Sequence, residues 1–280
     1  MYNEHFGLKE APFGITPDTS FYYPSSRYQE ALNTLLVAVR NGEGFIKLTG
    51  EVGSGKTLLC RKFLAVLGKD FATAYISNPF LEPRALLMAL ADELGVTLDK
   101  SVSQHRLLKS VTLALLNIAR KNKRAVLCID EAQAMPLDTL EALRLLTNLE
   151  TEKIKLLQVV LVGQPELNRK LELESIRQLK QRITFQYHLT PLGEEELESY
   201  LAHRLSVAGY RGGRLFSKSA VRRLYRASGG FPRLINILAH KAMMLAYGEG
   251  KGEVTDQHIK EAVVDTPAVK KKSFWNWNLS

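Results

Sequence analysis

GEVGSGKT, residues 50–57, follows the apolar run GFIKLTG (44–50) and opens a helix-forming stretch over 55–67. It fits G-x-x-x-x-G-K-[ST] in the strand–loop–helix setting that the pattern requires. Gly50, Gly53 and Gly55 let the backbone bend until successive N–H groups face one point, to which the new helix adds its positive end. A phosphate group fits that point, which makes ATP the expected ligand, held by Gly50, Glu51, Val52, Gly53, Ser54, Gly55, Lys56, Thr57 and Leu58. Lys56 is expected to bridge the β- and γ-phosphates, and Thr57 to hold Mg²⁺. With Gly near 7% of residues, chance supplies such a match on the order of 0.01 times in a chain this long. The motif therefore sets the fold reading.

Downstream, VLCIDEAQ (126–133) is a buried apolar strand that ends in two carboxylates. In a parallel sheet its end lies beside the phosphate loop. Asp130 is expected to reach Mg²⁺, and Glu131 to polarise the attacking water as general base. A strand end that merely exposes two acids is the alternative, weakened by the loop upstream. VVLVGQPEL (159–167) is a further strand ending in a polar side chain, and Gln164 is expected to sense the γ-phosphate or the water. Arg177 and Arg182 precede the final strand ITFQYHL (183–189). Arg182 is the expected finger supplied to a neighbouring subunit, a surface ion pair being the alternative. In GGFPRLINILAHKA (229–242), Pro232 opens a helix and places Arg233 at its start, as a second arginine for the γ-phosphate. Arg27 and Tyr28 are expected to help cover adenine.

Between these motifs the texture alternates. ATAYIS (72–77), RAVLCID (124–130) and KLLQVVLVG (155–163) read as strands, with helices over 26–41, 83–94, 104–121, 137–150 and two short pieces within 166–181. Strand–helix alternation implies a parallel sheet covered on both faces. From residue 194 only helical periodicity remains, over 194–208, 217–227, 232–247 and 255–264. The expected organisation is an aromatic segment packed on the core (1–25), a nucleotide-binding αβα domain (26–192), a helical lid (193–265) and a tail (266–280). The aromatic segment, with Pro12, Pro17 and Pro24, is expected to be non-helical yet too apolar to float free.

Apolar residues make up 45% and charged ones 24%, the balance of a folded globular chain. No run approaches 18 apolar residues, and MYNEHFGLKEAPFG lacks the marks of a signal peptide. A cytoplasmic protein is expected, and Cys60 and Cys128 with it as two buried thiols. The six scattered histidines show no metal spacing. Net charge is +9, of which residues 193–280 supply +5 from 14 Lys/Arg against 9 Asp/Glu. RKNKR (120–124) reads as a solvated helix end, with nucleic-acid contact as the alternative. KKKSFWNW (270–277) reads either as a solvated terminus or as a peg for an anionic membrane surface or a partner, placing the protein peripherally at the inner membrane.

Phosphate loop, DE pair, polar strand end, arginine before the last strand and GG-x-PR together resemble the AAA+ ATPases. FGLKEAPFGITPDTSFYY, DEAQ, LRLLTNLET (143–151) and GQPEL further resemble the ExeA-type secretion group, and within it the pilus-biogenesis ATPases of the mannose-sensitive haemagglutinin (MSHA) system. The likeness covers about residues 1–265. It implies an α/β P-loop NTPase sandwich with a five-stranded sheet ordered 5-1-4-3-2 and a C-terminal helical lid. It also implies ATP with Mg²⁺, a homo-oligomer, and inner-membrane secretion or pilus-assembly proteins as partners. That group continues into a membrane helix and a peptidoglycan-binding domain, whereas this sequence ends at Ser280, so direct contact with the cell wall is not expected. The competing expectation is a DNA-binding AAA+ regulator of transposition or another DNA transaction.

Overall fold

The computed structural model describes residues 2–99, 101–150, 154–267 and 269. They divide into two compact units: residues 28–52 with 56–189, and residues up to 27 with 53–55 and those from 190 onward.

Five parallel strands form the sheet of the larger unit: β1 (Phe45–Gly50), β2 (Phe71–Ile76), β3 (Arg124–Ile129), β4 (Leu157–Gly163) and β5 (Ile183–Leu189). Their spatial order is β2-β3-β4-β1-β5, the expected 5-1-4-3-2 read from the other edge. Burial follows position. Central β4 is buried at every residue, hence its unbroken apolar run, while edge strand β5 alternates. The helices of six residues or more are α1 (Ser26–Arg40), α2 (Lys56–Val66), α3 (Pro83–Glu93), α4 (Gln104–Arg120), α5 (Leu137–Leu146) and α6 (Glu166–Leu171), and one further helical turn spans Arg177–Lys180.

Local chemistry sets their ends. Pro83 occupies the first turn of α3, and the Ser103 side chain caps α4 through the Arg106 N–H. Helix α4 buries Leu107, Val111 and Leu115, a stripe at i, i+4 and i+8. Helix α5 stops four residues before its expected end, where Thr147 turns its hydroxyl back to the Arg144 carbonyl at 2.9 Å. Arg124, the last residue of the basic cluster, donates to the Val39 and Arg40 carbonyls at the end of α1. The apolar core between sheet and helices includes Leu127, Ile129, Val159 and Leu161, packed with Leu86, Leu90, Leu107 and Leu143.

Cys60 of α2 and Cys128 of β3, both fully buried, meet sulfur to sulfur. Their Cα atoms stand 7.4 Å apart, beyond the ~4.4–6.8 Å of an ordinary disulfide.

The smaller unit contains α7 (Glu194–Val207), α8 (Lys218–Ser228), α9 (Pro232–Gly248) and α10 (Asp256–Val264). A single parallel bridge, Phe216 to Val254, joins two of its loops, where only helices were expected. The aromatic N-terminal segment packs within this unit. Tyr2–His5 form one helical turn against the non-helical expectation, because the prolines that exclude helix begin only at Pro12. The carbonyls of Pro12 and Gly14 would be costly to bury without donors, and Arg204 and Asn236 supply them. The Arg204 guanidinium also lies over the Phe21 ring, 4.6 Å from its centroid. Tyr200 completes the network by donating to Asn236 at 2.8 Å, and burial raises its pKa.

The Gly-Gly break before α9 has a steric cause. Gly230 has φ +75°, and a Cβ there would lie 2.1 Å from the Leu192 carbonyl oxygen. Its own carbonyl accepts the Leu192 N–H at 3.0 Å, so any side chain would break that pairing. Residues 270–277, with the lysine and tryptophan tail, lie outside the described residues. Among the described residues, no helix is long and apolar enough to cross a membrane.

Candidate nucleotide site

Strand β1 ends at Gly50 and α2 begins at Lys56. The connecting turn carries φ +81° at Gly53 and +90° at Gly55, backbone that L side chains avoid. At Gly53 a side chain is doubly excluded, since its Cβ would meet the Arg233 Cβ at 2.9 Å. The Arg233 N–H donates to the Gly53 carbonyl at 3.2 Å, and the Arg233 residue itself is exposed. Around the turn, Ser54 is buried, Glu51 and Val52 are exposed, and Leu58 is half-buried.

Lys56 is 5% exposed. Its Nζ donates to the Gly50 and Glu51 carbonyls at 2.7 and 3.0 Å. Burial pushes its pKa below the ordinary lysine value, and the carboxylates of Glu131, Asp130 and Glu51 oppose that shift. The result is a directed ammonium among carboxylates and loop carbonyls.

Thr57 and Asp130 meet directly, the hydroxyl donating to Asp130 Oδ2 at 2.6 Å. Tyr75 of β2 donates to the same oxygen at 3.2 Å. Burial, and then the Asp130 charge, push the Tyr75 phenol up to about 12. Asp130 Oδ1 accepts the Glu131 N–H at 2.9 Å. A hydroxyl and a carboxylate in contact beside a buried lysine is a hard oxygen donor set that fits Mg²⁺ carried by a nucleotide.

Glu131 adopts left-handed backbone, φ 52° and ψ 34°. This conformation is uncommon for a residue with a Cβ and collects at functional sites. The strand end thereby turns sharply, and two amides clasp the carboxylate: Gln133 Nε2 at 2.6 Å and Gln164 Nε2 at 3.0 Å, both on Oε2. The expected sensor Gln164 thus reaches the expected base Glu131. Gln133, Tyr75 and Lys170 have no assignment from the sequence. The signal for Gln133 was present, as a polar residue just beyond the DE pair.

The remaining arginines sit elsewhere. Arg182 Nη1 donates to the Arg144 carbonyl at 3.1 Å and to the Thr147 and Asn148 side chains, at the C-terminal end of α5. A cation is favourable at that negative helix end. Arg177 is exposed. Arg27 donates to the Pro191 carbonyl and pairs with Glu196 at 3.2 Å, and Tyr28 is buried.

A parallel sheet in this order, with a phosphate loop after β1 and a carboxylate pair after β3, defines the α/β sandwich of the AAA+ P-loop nucleotide-binding proteins. Residues 39–171 match the family model described as AAA domain. Over 279 residues the chain is 42% identical to General secretion pathway protein A of Aeromonas hydrophila, covering 100% of this chain and 51% of that protein. It therefore spans about half the length of that curated relative. Among solved structures, the ORC2 protein of Aeropyrum pernix in its ADP form aligns with TM-score 0.68 at 18% identity, over 90% of this chain and 71% of that one. CDC6P from Pyrobaculum aerophilum aligns with TM-score 0.69 at 17% identity, over 90% of this chain and 69% of the other. At these identities the likeness carries the fold alone.

Proposed function

We propose that the chain binds ATP with Mg²⁺ and hydrolyses it, and that the turnover drives an assembly or remodelling step in bacterial secretion or in an MSHA-type pilus. The observation that carries the chemistry is the Thr57–Asp130 contact at 2.6 Å beside the doubly clasped Glu131. Lys56 and the amides of the 50–57 loop hold the phosphates. Thr57 and Asp130 would hold the metal, which when bound neutralises phosphate charge. Glu131 takes a proton from water, and Gln164 and Arg233 read the γ-phosphate. The secretion role rests on the 42% identity to a protein named for that pathway. The reading includes a cytoplasmic, self-assembling protein, peripheral at the inner membrane, with inner-membrane secretion or pilus proteins as partners.

A DNA-directed ATPase is the second reading. It is favoured by the exposed Arg222, Arg223 and Arg226 on α8, although Arg223 pairs with Asp256. Phosphate release measured with Mg²⁺, with duplex DNA and with anionic liposomes separates the two. The expected result is Mg²⁺-dependent turnover that liposomes raise and DNA leaves unchanged. Stimulation by DNA, together with DNA affinity that falls steeply with salt, would favour the second reading. No turnover under any condition would leave a nucleotide switch.

Arg182 is the residue assigned to act on the neighbouring subunit, which requires it to leave the α5 end. Mixing equal amounts of Arg182→Ala and Lys56→Ala should restore activity, because each keeps what the other lacks. Random mixing makes about a quarter of head-to-tail interfaces competent. A mixture that stays inert where wild type assembles would reduce Arg182 to a helix cap.

A further inference from the structure

The residues from 131 to 135 are tied to the end of β4 by more bonds than a strand-end turn needs. The Gln133 side chain uses both of its ends. Its Nε2 donates to Glu131 Oε2 at 2.6 Å, and its Oε1 accepts the backbone N–H of Gln164 at 3.0 Å. Gln164 Nε2 donates to the same Glu131 oxygen at 3.0 Å, which closes a ring of three residues. Lys170 of α6 fixes the turn from below, with Nζ donating to the Gln133 and Met135 carbonyls at 2.6 Å each. Burial lowers the Lys170 pKa. Beside the amide, Gly163 has no room for a side chain: a Cβ would lie 2.9 Å from Gln133 Oε1 and 3.0 Å from a Leu167 methyl.

Such a ring has a mechanical consequence. Both donors converge on Oε2, so the carboxylate cannot rotate freely, and Oε1 is left as the oxygen to receive a proton. Amide hydrogen bonds to an ionised carboxylate are among the stronger ones a protein makes. The backbone at Glu131 is itself in left-handed geometry, an uncommon conformation that collects at functional sites.

We propose that Gln133 is a positioning residue for Glu131: it aims the proton-accepting oxygen and couples that aim to the end of β4 through Gln164. The inference rests on Glu131 serving as the base. Gln133 touches neither phosphate nor metal in this scheme and acts only through its neighbour.

Gln133→Met removes both ends of the bridge and keeps side-chain length. Turnover at saturating ATP should fall about ten- to a hundredfold, the scale of a lost hydrogen bond to a charged group. The dissociation constant for a fluorescent ATP analogue should stay within about twofold, since Lys56 and the loop are untouched. Gly163→Ala, which pushes on Gln133 without removing a polar group, should lower turnover in the same sense and also spare affinity. In a Glu131→Gln background, where single-turnover rates are compared, Gln133→Met should add less than about twofold, because the two residues act as a unit. Wild-type turnover in Gln133→Met would overturn the proposal. So would an affinity loss matching the rate loss, or a full additional loss in the Glu131→Gln background. If Glu131→Gln alone turns over like wild type, the assignment of the base fails first, and that outcome is visible separately.

Discussion

Lys56→Ala is expected to weaken nucleotide binding by roughly a hundredfold or more, the scale of truncating one member of a buried, hydrogen-bonded charge pair. The geometry explains why the effect is large. Lys56 is enclosed at 5% exposure, and its ammonium is directed by the Gly50 and Glu51 carbonyls. Burial alone would favour the neutral amine; Glu131, Asp130 and Glu51 oppose it, so the site holds its cation with carboxylates. Removing the amine leaves phosphate charge facing those carboxylates without a counter-charge. Two loop carbonyls also lose their donor, so some loss of thermal stability should accompany the loss of affinity. Lys56→Met separates the two, because it restores the buried stem but not the charge. Titration with a fluorescent ATP analogue in Mg²⁺ is the measurement. Wild-type affinity in Lys56→Ala would remove the phosphate-loop assignment, and with it the frame of the site.

The parts of this fold legible in the sequence are those that a local pattern must obey. A central strand covered on both faces has to be apolar throughout, so LQVVLVG announced β4 with its edges nearly right. The phosphate loop needs glycine where φ is positive, and Gly53 and Gly55 stand there at +81° and +90°. The order of the strands is different in kind. Nothing in the spacing of five apolar runs says which lies beside which; that expectation came with the AAA+ resemblance, and the sheet agrees with it. The end of α5 was misplaced because the hydroxyl that stops it, Thr147, looks from sequence like one more helical residue.

The candidate site divides along the same line. Lys56, Thr57, Asp130 and Glu131 follow from motifs, and the structure brings all four together. Tyr75 and Lys170 work through hydrogen bonds between residues 35 to 55 positions apart, which leave no periodic trace, whereas Gln133 reaches Glu131 from two residues away. Arg182 shows the converse. Its place before β5 suggested a task in the next subunit, while its bonds in this one run to the end of α5, a relation no motif encodes. Arg27 and Tyr28 likewise occupy positions whose neighbours only the fold could supply.

Glu131→Gln should bind nucleotide like wild type and turn it over at least about a hundredfold more slowly, in the range that a positioned general base contributes. The substitution is nearly isosteric and sits at a left-handed residue, a conformation that an unbranched side chain such as Gln tolerates no worse than Glu. The new amide still offers an oxygen to Gln133 Nε2 and Gln164 Nε2, so the ring around it can persist. What it cannot do is take a proton. Loss of rate without loss of affinity therefore isolates proton transfer from phosphate binding, the opposite signature to that of Lys56→Ala. Asp130 keeps its side-chain donors Thr57 and Tyr75 and the backbone N–H of residue 131, so metal binding should not change. Stopped-flow binding and single-turnover hydrolysis, run on one preparation, give the two numbers. A turnover near wild type would assign the base to another residue. A collapse in affinity would mean that Glu131 holds the site together rather than acting on water. The expected outcome, tight binding with stalled chemistry, would also supply a trapped nucleotide-bound state for further study.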